Sequence, residues 1–356
     1  MDNFKQVTEQ MMLTRFKPGE MLLPPLMMKS CTIEAGPGNR VDARLELVPP
    51  GGGESFRFAV ESKARATPQT IQQATAQIKA AAGEGEWPMI QVPYLPPERI
   101  QELERDGVSG VDLCGNGVVI VPGRLWVVRV GNANQYRDSR PLSNPYRGRS
   151  AMVARMLMQQ PRWSSLSELA SAITAEGAEL SLPQVSKAVR ALKEDLMVLK
   201  DGGAIRLQNS LRLMDKLGRE WRKPQFSAKQ ACRLPGGAFL PGVLAPDRQL
   251  KWALTGESSV TRYAVFMQSG PPQLAVSSIP QAMALLDATP ETVRNFADIE
   301  LVESDEAGFF FSNETDSEGL RWASRLQTWL ELQSGDARQR EAARELRDQL
   351  LSKVTE

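Results

Sequence analysis

The chain has 356 residues, 42% hydrophobic and 24% charged, with a formal net charge of +1, the make-up of a soluble globular protein of two or three domains. It has no histidine, and its three cysteines (Cys31, Cys114, Cys232) follow no metal-ligand spacing. Serine–histidine and cysteine–histidine catalysis, imidazole general bases and histidine-ligated zinc are thereby excluded, so any chemistry rests on carboxylates, lysines and a metal. The scattered cysteines fit a reducing cytoplasm. No signal-peptide pattern opens the chain and no apolar run approaches the ~20 residues of a membrane span, so neither is expected.

In chain order, a helix and then an irregular, core-forming MLLPPLMMKS segment are expected before residue 36. Residues 41–63, VDARLELVPPGGGESFRFAVESK, follow. Val41, Ala43, Leu45 and Leu47 alternate with Asp42, Arg44 and Glu46, and Phe56, Phe58 and Val60 alternate with Arg57, Ala59, Glu61 and Lys63, on either side of a Pro/Gly turn. That is a β-hairpin of two half-buried strands. A fold about Gly51 and Gly52 sets Ala43, Leu45 and Leu47 opposite Val60, Phe58 and Phe56, and Glu46 opposite Arg57. Only this register keeps both apolar sets together.

The same register sets Asp42 opposite Glu61, with Lys63 two residues on. Paired carboxylates hold a hard cation such as magnesium, which activates a water, and an adjacent lysine neutralises charge on a phosphoryl group. The bland alternative is a solvated strand face with ordinary ion pairs.

Beyond the hairpin, Thr67 caps a helix with Pro68 in its first turn, and Ile71, Ala74 and Ile78 form its apolar stripe while Gln73 and Gln77 share another face. A strand over 88–92, a helix over 97–105 and two strands within VSGVDLCGNGVVIVPGRLWVVRVG complete an α/β domain with a mixed sheet. Asp112 and Asn116 are read as part of a turn, with Asn116 taking the positive φ.

Hairpin, carboxylates, ExK ending and following helix together resemble the PD-(D/E)xK nuclease superfamily over roughly the first third of the chain. The resemblance implies a restriction-endonuclease-like fold. It makes Asp42 the motif aspartate, Glu61 the second metal-binding carboxylate, Lys63 the catalytic lysine and Gln77 a further site residue, with Mg2+ as cofactor and Mn2+ as substitute. Two positions depart from the pattern: Val41 stands where a proline precedes the aspartate, and the upstream acids considered are Glu20 and Glu34.

Residues 131–149 read as a linker, and its arginines (Arg137, Arg140, Arg147, Arg149, with Arg129 before it) equally suit a phosphate backbone. Between residues 122 and 230 Lys and Arg outnumber Asp and Glu about two to one, whereas 298–318 is acidic without a basic residue, so the middle of the chain calls for an anionic partner. Amphipathic helices are expected over 150–160, 164–176 and 182–198, the third capped by Ser181 with Val185, Val189 and Leu192 buried. A hairpin turned by Asp201, Gly202 and Gly203 follows.

This succession resembles a winged helix-turn-helix over 150–210. The resemblance puts Gln184, Ser186, Lys187 and Arg190 of the third helix in a DNA groove, and Lys200 and Arg206 of the wing on phosphates.

From residue 211 a strand and helix around TGESS, strands at LAVSS, DIELVES and GFFFS, a helix over 279–286 and two helices around 334–337 are expected. Asp336 and Arg338 serve a helix end. WALTGESSVTRYA and the last helices resemble the C-terminal region of AbiEi-like type IV antitoxins, which implies DNA binding and a partner toxin. The expected organisation is therefore a nuclease-like α/β domain (1–131), a linker (132–149), a winged helix-turn-helix (150–210) and an α+β domain (211–356). The expected partner is double-stranded DNA, with a homodimer left open. Function divides between a metal-dependent endonuclease and a non-catalytic regulator or antitoxin-like protein.

Overall fold

The computed structural model describes residues 7–34, 40–136, 144–223, 226–237, 239, 241–244 and 249–355. Two compact units account for the chain, Met1–Pro141 and Leu142–Glu356. Their boundary falls within the expected linker, of which 137–143, with Arg137 and Arg140, lies outside the described residues. Both units are mixed α/β.

Unit 1 is an eight-stranded sheet whose spatial order follows the sequence, β1 to β8. Helix α1 (Glu9–Leu13) precedes β1 (Met21–Leu23) and β2 (Leu26–Ile33), and β3 (Ala43–Val48) and β4 (Phe56–Ser62) form the hairpin. Helix α2 (Pro68–Ala81) leads to β5 (Glu86–Val92), α3 (Pro97–Arg105) to β6 (Ser109–Asp112), and β7 (Gly117–Val121) and β8 (Leu125–Arg129) close the sheet. Pairings are antiparallel except β4–β5 and β5–β6, the two with helical crossovers.

The hairpin register is the expected one: Ala43, Leu45 and Leu47 face Val60, Phe58 and Phe56, and Glu46 faces Arg57. Their apolar face joins Met28, Met89 and Val119 in one core, while α2 and α3 cover the opposite face, burying Ala59 with Ile71, Ala74, Ile78 and Ile90. Val41 packs in this second core, apart from Ala43 and Leu45, because regular pairing of β3 begins only at residue 43.

Three expectations for unit 1 change. The segment taken as irregular is the β1–β2 hairpin, turned at a Pro24–Pro25 pair whose prolines masked the alternation of Leu26 and Met28. The run after α3 yields three strands where two were expected. The positive φ in the GNG turn belongs to Gly115 (86°) and not to Asn116, whose side-chain amide hydrogen-bonds Asp112.

Unit 2 opens with α4 (Ala151–Gln159), β9 (Arg162–Trp163), α5 (Leu166–Ala175), α6 (Leu182–Glu194), β10 (Val198–Asp201) and β11 (Ala204–Leu207), the strands pairing in the order β10-β11-β9. Gly202 and Gly203, at φ 54° and 97°, make the two-residue turn between β10 and β11. Then come α7 (Ser210–Glu220), β12 (Ala228–Arg233), β13 (Trp252–Leu254), α8 (Glu257–Val260), β14 (Gln273–Val276), α9 (Ile279–Leu286), β15 (Thr289–Pro290) and β16 (Ile299–Glu303). Helix α10 (Ala307–Phe310), β17 (Glu314–Thr315), β18 (Arg321–Trp322), α11 (Arg325–Leu332) and α12 (Ala337–Thr355) complete it. The strands from β12 onward form a seven-stranded mixed sheet, β15-β12-β16-β14-β13-β18-β17.

The boundary expected at 210/211 falls inside this unit. Residues of α4, α5, α6, α7, α11 and α12 share one hydrophobic core, and Ala151 through Met158 of α4 are all buried. Expected as amphipathic, α4 is central, since α7 and α12 cover the side that would otherwise face water. GFFFS contains the turn of helix α10; three adjacent aromatics carry no period by which to tell helix from strand.

Candidate active site and nucleic-acid interface

In unit 1 the regular β3–β4 register ends at Ala43 opposite Val60, so Asp42 and Glu61 lie just beyond it, and Asp42 N–H donates to the Val60 carbonyl at 2.9 Å instead of pairing regularly with Glu61. Asp42 Oδ2 accepts the Ser62 N–H at 2.7 Å. Glu61 is 2% exposed, and Lys63 Nζ meets its Oε1 at 2.5 Å. Parallel pairing with β5 extends past Ser62 through Lys63 N–H to the Gln91 carbonyl, 2.9 Å, which fixes the lysine backbone.

Burial raises the Glu61 pKa, the Lys63 hydrogen bond opposes that rise, and the charges of Asp42 and Glu9 add to it. For Lys63, burial pulls the pKa down, but the hydrogen bond and charge of Glu61, with Glu9 and Asp42 behind it, carry it above the ordinary lysine value. Lys63 is therefore an ammonium at neutral pH, held beside a carboxylate whose ionisation burial resists.

Glu9 is the acid that sequence reasoning missed. It is the first residue of α1, whose N-cap Thr8 accepts the Met11 N–H, and its Oε1 reaches the Ala64 N–H at 3.5 Å. Gln91 holds α1 there: its buried amide accepts from Ser62 Oγ at 2.9 Å and donates to the Met12 carbonyl at 3.1 Å. The sequence signal was the Thr8–Glu9 helix start, but only the tertiary fold brings it to β4. Of the two upstream acids considered, Glu34 donates its backbone N–H to the Asp42 carbonyl at 2.9 Å but has its carboxylate paired with Arg44, and Glu20 is paired with Lys17.

Gln77 is exposed on α2 and makes no hydrogen bond to Asp42, Glu61 or Lys63. Its position explains this: α2 starts a few residues after Lys63, and Gln77 lies on the order of 14 Å along the helix from that start. Asp112 is a turn-former. Its carboxylate accepts the N–H groups of Leu95, Cys114 and Asn116 and the Asn116 side-chain amide, at 2.7–2.9 Å.

Among the described residues no group of three or more His, Cys, Asp or Glu is arranged to hold a metal ion. Asp42 and Glu61 nevertheless suit Mg2+, which takes one or two carboxylates and completes its octahedron with waters and substrate phosphate oxygens. A cation there would also offset the ionisation penalty on Glu61.

In unit 2, α6 buries Val185, Ala188, Val189 and Leu192 and exposes Lys187 and Arg190. Ser186 is half-buried. Arg190 lies 3.9 Å from Glu194 but keeps 64% of its side chain exposed. Gln184 is exposed but occupied: its Oε1 accepts the Ser181 N–H at 2.8 Å, closing the helix cap. Lys200 and Arg206 are exposed on the β10–β11 hairpin, Arg206 directly opposite Arg162 of β9, a residue sequence reasoning passed over.

A second polar centre lies in unit 2. Arg155 of α4, 6% exposed, donates to the Gln327 Oε1 at 2.8 Å and the Gly308 carbonyl at 3.2 Å, and burial lowers its pKa to about 10. Gln327 passes the chain on to Glu331 at 2.6 Å, whose carboxylate also accepts from Thr255 Oγ1 and the Gly256 N–H. No helix among the described residues is long and apolar enough to cross a membrane. Compared with protein-family models, curated proteins and solved structures, the chain matches none.

Proposed function

We propose that this chain is a DNA-binding protein whose first unit hydrolyses phosphodiesters with a divalent metal. The observation that carries the reading is the convergence of Asp42, Glu61 and Lys63 at one end of β3 and β4, with Glu9 brought beside them by α1. Such a cluster supports the PD-(D/E)xK resemblance in the residues where chemistry is expected. When bound by Asp42 and Glu61, Mg2+ or Mn2+ supplies an activated water and charge neutralisation at the scissile phosphate.

The chain's own groups divide the remaining work. Lys63, protonated at neutral pH, offers an ammonium to a developing phosphoryl oxyanion and acts by charge and hydrogen bonding, not as a general base. The Ser62 N–H fixes one Asp42 oxygen and so orients the carboxylate. Gln91 orients Ser62 and the end of α1.

The succession α4, β9, α5, α6, β10, β11, with β9 completing a three-stranded sheet, supports reading residues 150–210 as a winged helix-turn-helix. In that reading α6 offers Lys187 and Arg190 to the duplex and the β10–β11 wing offers Lys200 and Arg206 to phosphates. A second reading, a non-catalytic regulator or antitoxin-like protein, is favoured by one observation: among the described residues no group of three or more His, Cys, Asp or Glu is arranged to hold a metal ion.

The deciding experiment incubates the purified protein with duplex and single-stranded DNA, with Mg2+ or Mn2+, beside Lys63→Ala. Metal-dependent cleavage that vanishes in the variant is expected. Binding without cleavage selects the regulator, and absence of DNA binding refutes both readings.

A further inference from the structure

Helix α12 carries Arg340, Arg344 and Arg347 at i, i+4 and i+7, the spacing of one helix face. With Arg219 of α7 they line a cleft of about 570 Å³ in which Asp215 is the acidic member. The floor is Trp329 of α11 and Gly218 of α7. A Cβ on Gly218 would come within 2.8 Å of the Trp329 ring and 2.7 Å of Gln333 Oε1, so glycine is what lets the two helices close.

Glu341, Glu345 and Asp348 follow the arginines one residue later, about 100° around the helix, and line no part of the cleft. Arg347 Nη2 is 2.7 Å from Asp215, and Arg344 Nη1 is 2.5 Å from Glu341. Arg219 and Arg340 form no ion pair among the described residues. Arg347 Nε is buried without a hydrogen-bond partner. Like charges gathered on a concave wall repel one another and concentrate positive potential, an arrangement that an anion in the cleft would relieve.

We propose that this cleft takes the phosphate backbone of DNA, as a contact separate from α6 and the wing. The proposal rests on the reading of unit 2 as DNA-binding. From Arg340 to Arg347 the helix advances about 10 Å, the rise of about three steps along one strand, so the arginines match consecutive phosphates rather than one compact anion. Trp329 is 5% exposed and cannot stack on a base. The cleft therefore contributes affinity without sequence preference.

The test is the salt dependence of duplex binding by the full-length protein, without divalent metal, for wild type, Arg219→Ala/Arg340→Ala and Lys187→Ala/Arg190→Ala. Each lost phosphate contact lowers the slope of log K against log salt by about 0.9, so the cleft variant loses about 1.8. Between 50 and 200 mM salt its affinity then falls roughly tenfold less than that of wild type, equally on unrelated duplexes. The glutamine pair, Arg219→Gln/Arg340→Gln, keeps the apolar stems and shows the same slope with an unchanged melting curve. A cleft variant with wild-type slope, beside a weakened α6 variant, overturns the cleft contact and leaves the DNA reading standing. Wild-type protein that binds no duplex overturns both.

Discussion

Replacing Lys63 by alanine removes the one cation beside Glu61, a carboxylate 2% exposed. Breaking a fully buried ion pair from one side costs about 3–5 kcal/mol, because the remaining charge is left uncompensated. The Lys63 side chain is 25% exposed, so water replaces part of its charge and the expected loss is about 2 kcal/mol at pH 7. The pH dependence follows from Glu61. Burial already raises its pKa, and losing Lys63 removes the main opposing influence, so the folded variant binds this proton more readily than the unfolded chain. A carboxylate with a raised folded pKa keeps its stabilising contribution below the unfolded value of about 4.3 and loses it as pH rises through the folded value. The deficit is therefore largest at neutral pH and shrinks on acidification. Urea unfolding of the full chain at pH 7 and pH 5, followed by circular dichroism, measures both. Millimolar Mg2+ should return part of the loss, since a ligand at 100 times its Kd stabilises by about 2.7 kcal/mol. A deficit below about 0.5 kcal/mol at pH 7, or one that grows at pH 5, would refute the placement of Glu61 as a buried charge dependent on Lys63.

Glu9→Gln leaves the fold intact, as Glu9 is exposed, and is expected to lower metal-dependent cleavage by roughly tenfold, the effect of removing a supporting carboxylate; unchanged kcat/KM would exclude Glu9 from the site. Arg155→Ala strips a 6%-exposed guanidinium from between Gln327 and Gly308, leaves two buried acceptors without their donor and is expected to cost about 1–3 kcal/mol, read as a lower urea midpoint, with cleavage per folded molecule unchanged.

How far the fold was legible depended on periodicity. The β3–β4 register, the Thr67–Pro68 start of α2 and the Val185–Val189–Leu192 stripe of α6 were readable because each has a clean period and a recognisable end. The β1–β2 hairpin was hidden by its prolines. Strands β9, β15, β17 and β18, two residues each, are too short to carry any period and exist only through pairing. At the site, Asp42, Glu61 and Lys63 were legible because a hairpin makes them local. Glu9, more than fifty residues from Ala64, was not, and neither was the burial of α4, which only the C-terminal helices bring about.

The two polar centres differ in how their carboxylates are compensated. Around Glu331, Thr255, Gly256 and Gln327 supply hydrogen bonds to both carboxylate oxygens, and Arg155 closes the network from behind. The residues join α4, α11 and the end of β13, and Glu331 and Gly256 also line a cavity of about 390 Å³. Around Glu61 a single lysine, itself partly open to solvent, pairs with Glu61 and feels the charges of the half-buried Asp42 and the exposed Glu9. Negative charge in excess of its compensation is costly in a closed protein and is relieved by a divalent cation. The charges around Glu61 are therefore what the metal titration and the Lys63→Ala and Glu9→Gln variants probe at the end of the β3–β4 hairpin.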